Sequence, residues 1–186
     1  MERSKLKEEL ISWLKAVVLA ILVVFIAKTF LVANYVVDGS SMYPTLKNED
    51  RLMVNKIGYK LSDIKHGDII VFHATPTDDY IKRVIGLPGD TIVYKNDELY
   101  RNGKKVTEPY LDPEKKELES GNLTYDFTLE QDTGKTKVPA GELWVMGDNR
   151  RNSVDSRRFG FIKQSDVVGK LDVRYYPFGK FEWFGL

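Results

Sequence analysis

Residues 67–94 read GDIIVFHATPTDDYIKRVIGLPGDTIVY. Within this stretch Asp68–Phe72, Ile81–Ile85 and Thr91–Tyr94 are short runs rich in β-branched and aromatic residues, separated by Gly, Pro and Asp. Each is too short for a helix and bounded by turn formers, so each predicts a strand. The same pattern recurs upstream at Tyr35–Val37 and Leu52–Val54 and downstream at Leu143–Met146 and Leu171–Tyr176. YKNDELYRNGKKV, residues 94–106, carries Asn96-Asp97 and Asn102-Gly103, two turn signals that predict consecutive hairpins. The expected fold is mostly β: an antiparallel, barrel-like domain over residues 34–186. Residues 108–137 turn polar and charged around EKKELE and predict a surface insertion.

Ahead of the strands, Ala16–Ala33 is nearly all apolar, broken only by Lys28 and Thr29, and Trp13 and Leu14 extend it backwards. A run of roughly 18 or more apolar residues matches a bilayer core about 30 Å thick. Residues 13–33 therefore predict a single transmembrane anchor. Arg3, Lys5, Lys7 and Lys15 precede it, whereas Asp38, Glu49 and Asp50 accompany the few cations after it. The positive-inside rule puts residues 1–12 in the cytoplasm and the β domain outside the cell membrane. A cleavable secretory signal is the alternative, with Ala16–Ala27 as its core. Phe30, Leu31 and Val32 prolong the run, and no clear small-x-small site follows, which favours the anchor.

A net charge of +1 over 186 residues leaves no electrostatic footprint for nucleic acid. Cysteine is absent, which excludes a thiol nucleophile, disulfides and thiolate zinc sites. No HExxH or comparable ligand spacing exists, so neither a metal nor another cofactor is expected.

Eight residues beyond Ala33, Ser41 stands in GSSMYPTL, residues 39–46. Eight extended residues span at most roughly 26 Å, so a nucleophile at Ser41 would work beside the membrane face. A serine needs a base. His66 and His73 are the two histidines, and turn or strand-end roles explain both. Lysine serves if burial lowers its pKa by a few units. Lys82 sits in an apolar strand, with Val84 on its face and Ile81, Arg83 and Ile85 on the other.

GSSMYPTL, GDIIVF at 67–72, YIKRVIGLPGD at 80–90 and GDNRRNSVDSRRFGF at 147–161 together resemble the ordered motif set of type I signal peptidases. The single anchor and compact length resemble the Gram-positive branch. The resemblance implies a serine endopeptidase that removes signal peptides from exported preproteins, with Ser41 as nucleophile and Lys82 as general base. It implies that Ser153 orients the lysine and that Asp155 and Arg157 hold the region together through a salt bridge. Some relatives carry a serine two places before the nucleophile that helps bind the oxyanion. Gly39 stands there in this chain, which leaves the backbone N–H of Ser41 as the expected oxyanion donor.

The partners implied are signal peptides ending in small residues, bound as extended strands, together with a phospholipid membrane and the export translocase. Met42, Tyr43, Phe72 and Tyr80 are candidates for the groove or for plain core. The tail FGKFEWFGL suits either a membrane interface or packing on the β domain. Two rival readings stand beside the peptidase: a silent relative that binds extended peptides without cutting them, and a soluble self-cleaving Ser/Lys repressor, which the anchor disfavours.

Overall fold

The computed structural model describes residues 2–26, 31–57 and 63–185. The helix α1, Glu2–Ile26, opens the chain. From Leu10 to Phe25 its large apolar side chains are exposed. Among the described residues, no helix is long and apolar enough to cross a membrane. The first turns of α1 are spent on charged residues, and residues 27–30 of the expected span 13–33 lie outside the described residues.

After α1 the domain is β, as expected. Strands β1 (Val32–Val36), β2 (Arg51–Asn55), β3 (Ile69–His73) and β4 (Asp79–Gly86) come first. A meander of β5 (Ile92–Lys95), β6 (Glu98–Arg101) and β7 (Lys104–Val106) follows. Next come α2 (Asp112–Glu117), β8 (Phe127–Thr128), α3 (Leu129–Thr133) and β9 (Glu142–Met146). The chain ends with α4 (Ser156–Phe159), β10 (Ile162–Lys163), β11 (Val167–Tyr176) and β12 (Glu182–Trp183).

One sheet runs β1-β2-β11-β3-β4-β9-β10, with β12 added to β11, and a second runs β7-β6-β5-β8. All the pairings are antiparallel. The expected barrel does not close, because β1 and β10 remain as opposite edges. With only Ile162 and Lys163 paired to β9, β10 is too short to carry the ladder round to β1.

The hairpins sit where the turn residues demand them. Asn96, Asp97, Asn102 and Gly103 all adopt positive φ, the conformation of tight two-residue turns. Strand β4 feeds every part of the core: Ile81 packs with Met42, Leu46 and Leu171, Val84 with Ile70, Phe72 and Val145, and Ile85 with Tyr94 and Trp144. The segment 108–137 is less superficial than its charge suggests. Its helix α2 buries no side chain, but Leu111, Phe127 and Leu129 are buried, the last two against Trp144 and Tyr94.

Candidate active site

Strand β9 pairs with β4 only from Arg83 to Gly86, whereas β3 pairs along Asp79–Arg83. The start of β4 therefore keeps one edge free of strand partners among the described residues. Opposite it runs the chain that continues from β1, Val37 to Met42, and between them lies a cleft of about 360 Å³. Tyr35 spans its rim, donating from its hydroxyl to Asp79 Oδ2 at 2.7 Å.

Ser41 and Lys82 meet in this cleft. Lys82 Nζ lies 2.8 Å from Ser41 Oγ and also donates to the Ile81 carbonyl at 3.1 Å. Only 4% of Lys82 is exposed. Burial pushes its pKa down to about 8, against the opposing pull of Asp155 and Asp148. Its Nζ also stands 5.1 Å from the Tyr80 ring centroid, on the face of β4 that the two residues share.

The loop after β9 fixes Ser41 from behind. Asn149 N–H donates to the Ser41 carbonyl at 3.0 Å, and the Asn149 side chain donates to the Ser40 carbonyl at 3.0 Å. Asn152 Nδ2 reaches Ser40 Oγ at 3.1 Å. Gly147 allows this approach: a Cβ there would stand 2.4 Å from the Ser41 carbonyl oxygen and 2.2 Å from Ser153 Oγ. Gly39 adopts φ +93° and donates its N–H to Asn48 Oδ1, which agrees with a turn before the serine.

Buried charge holds that loop. Asp155, fully buried, accepts a fork from Arg157 at 2.8 and 2.7 Å and the Gly147 N–H at 2.9 Å. Burial alone would raise its pKa, but the Arg157 contacts outweigh it and hold the carboxyl below the usual range. Arg157 Nη1 also donates to the Arg150 carbonyl. A second fork joins Arg83 to buried Asp148 at 2.8 and 2.6 Å, and Thr45 donates its hydroxyl to the same carboxylate. Arg150 ties the loop to the other sheet through Glu108 at 2.6 Å and the Tyr94 hydroxyl at 2.6 Å.

Of the remaining expected residues, Ser153 makes no hydrogen bond to Lys82. Its Oγ is buried with no hydrogen-bond partner of good geometry, although the hydroxyl contributes to keeping Asp155 ionised. Met42 lines the cleft but is 1% exposed and belongs to the core beneath it. Tyr80 lines the cleft directly, whereas Tyr43 lies outside its lining, with Lys47 Nζ 5.2 Å from its ring centroid. Phe72 is core. Both histidines pair with carboxylates, His66 with Asp90 and His73 with the rim residue Asp79, each at 2.6 Å. Among the described residues, no cluster of His, Cys, Asp or Glu could hold a metal ion. Asn149, Asn152 and Gly147 lie within the 147–161 motif, but the sequence assigns them no role beyond that of a glycine at a strand end, where close backbone approach is common.

A serine hydroxyl within hydrogen-bond reach of a buried lysine, in a strand-flanked cleft, is what the geometry brings together. The family model described as signal peptidase, peptidase S26, matches residues 10–176. The chain belongs to that family, as a type I signal peptidase. It is 58% identical over 162 residues to a signal peptidase I of Bacillus caldolyticus, covering 87% of this chain and 89% of that protein. To a signal peptidase IB of Staphylococcus aureus (strain MRSA252) it is 43% identical over 182 residues, covering 96% and 95%. A crystal structure of a signal peptidase I from Enterococcus faecalis V583 aligns with a TM-score of 0.57 at 44% identity, covering 59% of this chain and 97% of that one.

Proposed function

We propose that this chain is a membrane-bound serine endopeptidase that removes signal peptides by a Ser/Lys dyad. Neutral Lys82 takes the hydroxyl proton of Ser41 as Oγ attacks the scissile carbonyl. Lys82 then returns that proton to the leaving amine, and a water activated by the same lysine releases the signal peptide from its ester. The oxyanion falls to the Ser41 N–H, since Gly39 offers no hydroxyl. Asp155 and Arg157 keep the loop behind Ser41 in place, and Ser153, close beside Gly147, is the residue we assign to orienting the lysine. The observation that carries the reading is the 2.8 Å approach of a buried, pKa-lowered lysine to Ser41 Oγ.

Substrate would lie extended between Val37–Met42 and the free edge of Asp79–Lys82, adding a strand through main-chain hydrogen bonds. Residues 1–12 then remain cytoplasmic, residues 13–33 anchor the chain, and residues 34–186 work outside, within reach of preproteins leaving the export translocase. The exposed apolar side chains from Leu10 to Phe25 support an anchor, and exposed Phe178, Phe181 and Trp183 suit a second, shallow contact with lipid headgroups.

The test is cleavage of a labelled preprotein by the detergent-solubilised full chain, beside Ser41→Ala and Lys82→Met proteins matched by circular dichroism. Cleavage after a small-x-small site, lost in both variants, is the expected result. Signal-peptide binding without cleavage by the wild type would reassign the chain as a silent binding module. Cleavage by Lys82→Met would remove lysine from the mechanism.

A further inference from the structure

A second cavity, of about 440 Å³, adjoins the Ser41–Lys82 cleft. The two share Tyr80 and Val154 as walls, so they lie side by side at that point. Phe72, Phe159, Phe161 and Ile162 supply its apolar lining, and His73 and Lys163 stand among its polar residues. The Phe72, Tyr80 and Phe159 rings form a triangle, with centroids 6.3, 6.3 and 6.5 Å apart. Phe72 is core, but Phe159 is 40% exposed and Val154 49% exposed. The fold therefore leaves an aromatic surface open to solvent beside the proposed nucleophile.

Tyr35–Gly39 line the first cavity alone, whereas Tyr80 and Val154 line both. A chain lying along Tyr35–Gly39, with its scissile bond at Ser41, leaves the dyad across Tyr80 and Val154. Its next residues then pass over the aromatic triangle. We infer that the second cavity is a subsite for the mature side of the substrate, taking an apolar or aromatic side chain from the first three residues after the scissile bond. This inference rests on cleavage at Ser41 as proposed above. Adjacency to the cleft names the occupant, because Tyr80 and Val154, which line the cleft that holds Ser41, also line the second cavity. His73, Thr75, Glu142, Lys163 and Asp166 make part of the lining polar, but the aromatic walls of a cavity of this size suit a single large side chain.

The test compares preprotein-derived peptides with one fixed small-x-small cleavage site and either phenylalanine or glycine at each of the first three mature positions. The wild type should cut the best phenylalanine peptide with kcat/KM about tenfold above its glycine counterpart, the usual scale for one apolar side chain. In Phe159→Asp that ratio should fall to one or below. Phe159→Ala, a milder change at the same exposed site, should lower the ratio in the same direction and keeps the test decisive if the charged variant misfolds. Equal kcat/KM for the two peptides in the wild type would overturn the inference and leave the cavity to a lipid acyl chain or a second copy. A wild-type preference that persists in both variants would also overturn it. Failure to cut either peptide would instead sink the Ser41 mechanism, so the two failures are distinguishable.

Discussion

The meander sheet and the surroundings of Lys82 differ in the side chains they bury beyond the shared apolar core. The meander sheet packs through rings: Tyr94 stacks on Phe127 at 5.1 Å, Phe127 meets Trp144 at 5.9 Å, and Trp144 meets Phe161 edge-on at 5.4 Å. Its Glu98–Lys105 pair lies on the outside. The larger sheet and the loop after β9 instead bury Lys82, Arg83, Asp148, Asp155 and Arg174. Apolar packing would hold the backbone equally well, because buried ion pairs often add little net stability over well-packed apolar groups. What buried charge supplies here is fixed hydrogen-bond direction around Lys82, which in the proposed mechanism acts in its neutral form. Rings set the frame, and charges set the chemistry.

The sharpest break of that contrast is at Lys82 itself. Lys82→Met keeps an unbranched apolar stem in the same strand but removes the base. Loss of general-base catalysis should lower kcat by roughly 10²–10⁴-fold with the fold intact. A variant with unchanged kcat would mean that the buried charges serve stability alone.

Next comes Asp148→Ala. It leaves the Arg83 guanidinium buried without its fork, and breaking one partner of a buried pair costs about 3–5 kcal/mol. A urea or thermal unfolding curve should show that loss even for a protein whose dyad residues are untouched. Gly147→Ala is expected to act on activity more than on stability. Its Cβ would collide with the Ser41 carbonyl, and displacing a reacting group by about 1 Å costs on the order of 10²-fold in rate. Wild-type kcat in that variant would show that the loop behind Ser41 is not a positioning device.

A smaller effect follows from the lysine pKa of about 8. The neutral fraction is then about a tenth at pH 7 and about nine tenths at pH 9, so kcat/KM should rise nearly tenfold across that interval and level off above it. Linkage gives a matching sign for stability. The folded state binds fewer protons than the unfolded state between pH 8 and the ordinary lysine value. The cost of burying Lys82 is therefore full below pH 8 and relieved as pH rises through that window. Activity that stays flat from pH 7 to 9 would remove the case for lysine as the base.

The same division separates what could be read in the sequence from what could not. Asn96-Asp97 and Asn102-Gly103 announce the meander because a tight turn is a property of adjacent residues. Ser41 and Lys82 are legible because their motifs carry a family resemblance, and Lys82 also because an apolar strand is the setting a lysine base needs. The partners of the buried charges are not legible: Arg83 finds Asp148 65 residues away, and Arg150 finds Glu108 42 residues away. Charge in a sequence reads as surface, so residues 108–137 look like an exposed insertion, although Glu108 and Tyr110 clasp Arg150 and Phe127 enters the core. The open sheet is equally hidden, since strand count and alternation do not show that β10 stops after two residues.

The smallest expected effect is the one that tests the contrast from its other side. Lys105 and Glu98 make an ion pair across β6 and β7, and both side chains are well exposed. An exposed pair exchanges hydration for attraction at high dielectric and loses side-chain freedom, so many such pairs contribute nothing measurable. Lys105→Ala should therefore leave the unfolding midpoint and kcat/KM at their wild-type values, at low and at high salt alike. A clear loss of stability, growing as salt is lowered, would mean that the meander sheet also depends on charge. The distinction between a ring-built frame and a charge-built site would then fail at an exposed pair.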